Sequence, residues 1–99
     1  MKHVGERKTI VARYLIETPH TDENCQRLVE EVYAIGFLHN FEWGCDSGVH
    51  SGWAIIEAES EAEARLAVPP LVRASARVVK LNKYGIEQIQ ALHETAREI

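Results

Sequence analysis

The chain has 99 residues, 45% hydrophobic and 26% charged, which fits one soluble globular domain with a single core. Acidic residues outnumber basic ones, 15 to 11, and the net charge is −4. The sole basic cluster is Lys2, Arg7 and Lys8, so neither nucleic acid nor a membrane is an expected partner.

Residues 1–8 read as a flexible tail. No apolar stretch follows their positive charge, as a secretion signal would require. The run Ile10 to Ile16 is broken by Arg13 and is too short to cross a bilayer, so the expected location is the cytoplasm. There the two cysteines would be reduced, unless a metal or a redox role claims them.

Thr9 to Glu17 is rich in β-branched and aromatic residues and apolar on both faces, which predicts a central strand. Thr18-Pro19-His20 breaks it. Thr21 then offers an N-cap, and Cys25, Leu28, Val29, Val32 and Ile35 follow helical spacing up to Gly36. The odd positions Phe37, His39, Phe41, Trp43 and Cys45 predict a second strand. Asp46-Ser47-Gly48 is turn chemistry, and Val49 to Ala58 is the return strand. Ser60 and Glu63 form a capping box for an Ala-rich helix that must stop near Pro69-Pro70. Ala76 to Leu81 is a last strand. Ile86, Ile89, Leu92 and Ala96 mark a C-terminal helix.

The expected fold is α+β: a ferredoxin-like βαββαβ antiparallel sheet, in a single domain over residues 1–99, with an extra C-terminal helix. Helices cover one face of such a sheet. The alternation of Val11, Arg13 and Leu15 leaves the other face of the first strand substantially apolar, and pairing of two sheets in a homodimer or higher homo-oligomer would remove it from water.

The stretch Trp43 to Trp53, WGCDSGVHSGW, holds both tryptophans, three of the six glycines and one of the two cysteines. Its tip lies at the end where the first strand finishes, as do the start of the first helix and the Pro69 to Arg73 connection. His20, Cys25, Cys45, Asp46, His50 and Arg73 are thus expected at one end of the domain. A short turn would set Cys45 opposite His50, and Trp43 opposite Gly52.

Three chemistries fit these residues. His20, Cys25, Cys45 and His50 form a Cys2His2 set suited to zinc or another thiolate-binding transition metal, though without the spacing of a zinc finger. Cys45 beside His50 would be an activated thiol, with Cys25 able to resolve it. His39, Trp43, Trp53, Phe41 and Tyr14 would line a small-molecule pocket with Asp46 and Arg73 as polar contacts, and His50 or His39 would be the general base of a small cofactor-free enzyme. The plain alternative is a structural or regulatory domain in which these side chains only pack. His93, on the apolar side of the last helix, reads as a packing residue.

Residues 9–94 resemble a set of short microbial proteins with no assigned reaction. The likeness is carried by W-G-C-x-x-G-x-H-x-G-W (Trp43 to Trp53), by His20-Thr21-Asp22-Glu23-Asn24-Cys25, and by Pro69 and Arg73. It implies a ferredoxin-like subunit of the dimeric α+β-barrel type, and its shared positions coincide with the end where the topology gathers the 18–25, 43–53 and 69–73 segments and where a metal or small ligand is expected.

Overall fold

The computed structural model describes residues 10–97. The expected N-terminal tail and Thr9 lie outside the described residues. The described chain is α+β: four strands in one antiparallel sheet, four α-helices and three short 3-10 turns.

Strand β1 (Ala12–Glu17) is central. A 3-10 turn at Asp22–Asn24, capped by the Thr21 hydroxyl accepting from the Asn24 N–H, leads into helix α1 (Cys25–Ala34). Gly36, at φ +91°, ends the helix in a conformation that glycine adopts without a Cβ clash. Strand β2 is only Phe41–Trp43. The longer strand expected over 37–45 does not form. Phe37 and Leu38 both pack against the core, which breaks the period of two, and Leu38–Asn40 forms a 3-10 turn instead. His39 is therefore an exposed turn residue, not one on an alternating strand face.

Strand β3 (Gly52–Ala58) returns beside β2 with Trp43 opposite Gly52. Helix α2 (Glu61–Arg65) starts on the Ser60 hydroxyl, which accepts from the Glu63 N–H at 3.1 Å. Helix α2 stops at Arg65, ahead of Pro69-Pro70. Pro70 begins a short helix α3 (Pro70–Arg73), where its missing N–H would have no partner in any case. Strand β4 is Arg77–Leu81 and helix α4 is Ile86–Arg97.

The strand order is β2-β3-β1-β4. One face carries the core: Tyr14 and Ile16 of β1, Ala54, Ile56 and Ala58 of β3, Leu28 and Val32 of α1, and Ala64, Val68 and Val72. Of α2, Ala64 is the residue buried in this core. The other face presents Leu15 between Ile55 and Val79, with Ile55 51% exposed. Among the described residues, none of α4 belongs to the core. Among the described residues, no helix is long and apolar enough to cross a membrane.

Candidate metal centre

Two segments, 18–25 and 44–52, build the site, the expected 69–73 segment adding no ligand, and the β1–β3 ladder sets their positions. Its register continues past the strand ends: the Thr18 N–H donates to the Gly52 carbonyl at 2.9 Å, and the His20 N–H to the His50 carbonyl at 3.0 Å. Pro19, between them, has no N–H to leave unpaired. Thr18 is fully buried, and its hydroxyl accepts the Gly52 N–H at 3.0 Å. His20 and His50 are thereby held side by side, ring centroids 6.0 Å apart.

The two cysteines arrive from separate elements. Cys25 is the first residue of α1. Cys45 opens a 3-10 turn, Cys45–Ser47, that Gly48 closes at φ +85°. The expected short hairpin turn is replaced by this longer loop. Gly44 pairs with Ser51 through its N–H, and the Val49 N–H folds back to the Gly44 carbonyl. Cys45 and His50 are not cross-strand neighbours. The imidazole that faces the Cys45 sulfur is His20, with Nε2 at 3.4 Å.

The four side chains nevertheless converge. One ligand atom from each of His20, Cys25, Cys45 and His50 lies within 4.8 Å of the others. The hydrogens at the site can be assigned. His20 Nδ1 is 2.8 Å from the Thr18 carbonyl oxygen, which can only accept, so Nδ1 carries the hydrogen and Nε2 turns its lone pair to the sulfurs. The Cys25 thiol donates to Cys45 at 3.0 Å. His50 places Nε2 3.7 Å from an Asp22 carboxylate oxygen, while its Nδ1 is buried without a hydrogen-bond partner. A buried nitrogen with no partner costs free energy unless something else uses its lone pair.

The local field is negative. The Cys25 thiol is pushed up from 9.0 to about 11, first by its hydrogen bond to Cys45, then by burial, then by the negative charges of Cys45, Asp22 and Asp46. A bound cation would reverse that preference, because the anions that hold the proton on Cys25 would also attract the ion.

The residues expected around a small-molecule pocket are dispersed. Trp43 points to the helix side of the sheet, stacked on Phe41 at 5.4 Å and edge-on to His20 at 6.1 Å. Trp53 alternates with the buried Gly52 and Ala54, so it lies on the opposite face, where its indole N–H donates to Glu17 at 3.3 Å. Tyr14 and Phe41 are core. His39 and His93 are exposed. The Arg73 Nε–H donates to the Val68 carbonyl at 2.8 Å and so ties the end of α3 to the connection that precedes it. Of the expected polar contacts, Asp46 alone acts on the cluster, through its charge on Cys25.

Two contributors escape a reading of the sequence. Thr18 looks like a strand end, and only the ladder reveals its buried hydroxyl and its carbonyl on His20. Asp22 looks like a helix-dipole carboxylate, and its approach to His50 crosses 28 positions of chain. The chain matches no protein-family model, no curated protein and no solved structure.

Proposed function

We propose that the protein binds a transition-metal ion through Cys25, Cys45, His20 Nε2 and His50 Nδ1. The observation that carries this is the convergence of four ligand atoms within 4.8 Å. Zinc fits the donor set best. Its bonds to sulfur and nitrogen, about 2.3 and 2.0–2.1 Å, give a tetrahedron with edges of roughly 3.3–3.8 Å. The cluster reaches those edges by small side-chain movements. Copper(I) is the next candidate, since thiolates favour it. A closed four-ligand site holds or senses an ion and leaves no position for a substrate, so this reading is of a binding protein and not a hydrolytic enzyme. The Thr18 carbonyl on His20 and the Asp22 carboxylate near His50 are the outer partners that orient imidazole ligands.

Elemental analysis of protein purified without chelator, with a thiol count on the same sample, tests the assignment. Near-stoichiometric metal with protected thiols is expected, and both should be lost in Cys45→Ser. Two freely titrating thiols and no metal after zinc loading would overturn it.

The subunit is proposed to be ferredoxin-like and to work as a cytoplasmic homodimer of the dimeric α+β-barrel type. The strand order supports the first part. The apolar stripe Ile55–Leu15–Val79 on the uncovered sheet face supports the second.

A further inference from the structure

The metal centre has a feature that holding an ion does not require. The Cys25 and Cys45 sulfurs are 3.0 Å apart. Two thiolates on one zinc stand about 3.8 Å apart, and a disulfide needs about 2.05 Å. The pair is thus nearer to each other than shared ligation demands, and about 1 Å from bonding. Both sulfurs belong to partly exposed residues. Cys45 also begins a surface turn, in which Asp46, Ser47 and Gly48 are all exposed. A small oxidant can reach it.

We propose that Cys25 and Cys45 are a redox pair that reacts with low-molecular-weight disulfides, and that closing the bond between them discharges the metal. This rests on the metal-binding reading above. The roles follow from the contacts. Cys45 accepts from Cys25 and faces His20 Nε2, the acceptor placed for its proton. The Cys45 sulfur attacks one sulfur of the external disulfide, RSSR. A Cys45–SR bond forms, the RS–SR bond breaks, and the leaving thiolate takes the proton that Cys45 gave up. The Cys25 sulfur then attacks Cys45. The Cys25–Cys45 bond forms, the Cys45–SR bond breaks, and the second RSH leaves with the Cys25 proton. The protein loses two electrons and two protons, and RSSR becomes two RSH. In the loaded form the sulfurs begin as thiolates and the departing species is the metal cation. Two imidazoles are left, too few to retain it.

Oxidised glutathione is the probe, applied to the full chain in metal-free and zinc-loaded forms. Mass spectrometry reads the adducts and a chromogenic chelator reads released zinc. The expected result is an intramolecular disulfide, two hydrogens lighter than the dithiol, with zinc released in step and both changes reversed by dithiothreitol and zinc. Cys25→Ser should stall as a glutathione adduct on Cys45. If the wild-type chain binds zinc but accumulates only stable adducts, or closes the disulfide and keeps its zinc, the redox inference is overturned and the metal site stands. If the chain never binds zinc yet closes the disulfide, the metal reading has failed and the coupling has failed with it.

Discussion

The chemistry of the site is concentrated in a few atoms whose partners are accounted for one by one. Cys25 keeps its proton because the Cys45 sulfur, burial and two nearby carboxylates disfavour a second negative charge. Its folded pKa, about 11, exceeds the unfolded 9.0, so the folded metal-free chain holds this proton more tightly. The resulting stability is fully present below pH 9.0 and is lost as the pH rises toward about 11. Chemical denaturation of metal-free protein across that window should show the decline, and Cys25→Ser should flatten it. Zinc must displace the same proton. Affinity measured by competition with a chelator should therefore rise with pH through the neutral range. At the other end of the cluster, Asp22→Asn removes the carboxylate near His50. The expected cost is about tenfold or more in zinc affinity with the fold intact. Unchanged affinity would leave Asp22 as a helix-start residue only.

Strand ends and loop backbone bring those atoms together. The Thr18–Gly52 contact extends the central ladder by hydroxyl where the strand proper has stopped. Thr18→Val keeps the shape but leaves the Gly52 N–H without its acceptor. A loss of about 1–3 kcal/mol in thermal or denaturant unfolding is expected, while the main-chain carbonyl of residue 18 still accepts from His20 Nδ1. Gly52 permits no side chain. A Cβ there would lie 2.6 Å from the Trp43 ring and 3.0 Å from the Thr18 hydroxyl. Gly52→Ala should therefore displace Trp43, visible as a shift in indole fluorescence, and lower zinc affinity without touching a ligand. The glycines and tryptophans of the hairpin have a scaffold role: one indole packs on each face, each against a glycine of the other arm of the hairpin. That accounts for the crowding of rare residues in Trp43 to Trp53 without making the tryptophans a pocket.

Across the whole molecule, the Cys/His cluster sits at one end of the sheet and the uncovered apolar face runs across the other side. The two are separable by mutation. Leu15→Glu places a charge between Ile55 and Val79. Light scattering should then report monomers, while zinc stoichiometry stays unchanged. A Leu15→Glu variant that remains dimeric would move the interface elsewhere, with helix α4 the next surface to test, since Ile86 and Leu92 are 70% and 50% exposed.

Much of this was legible in the sequence wherever the determinant is local or periodic. The Ser60–Glu63 cap depends on residues three apart. The helix after Thr21 follows from spacing, and the pairing of Trp43 with Gly52 follows from an indole next to a glycine-rich turn. The βαββαβ order then turns local elements into a coarse map, and that map already set His20, Cys25, Cys45 and His50 at one end. Where periodicity misled, packing had overridden it: Phe37 and Leu38 are adjacent yet both packed on the core, and this shortened β2 and left His39 in water. The rest belongs to tertiary structure alone. The ladder from Thr18 to Gly52 and from His20 to His50 sets which imidazole meets which sulfur, and pleat alternation sends Trp43 and Trp53 to opposite faces. Sequence by itself determined the element order and the membership of the cluster, because composition, spacing and turn chemistry act over a few residues. Only the fold decided the contacts of 3.0 to 3.7 Å from Cys45 to His20, Cys25 to Cys45 and Asp22 to His50, because they join positions 20 or more residues apart that tertiary structure alone brings together.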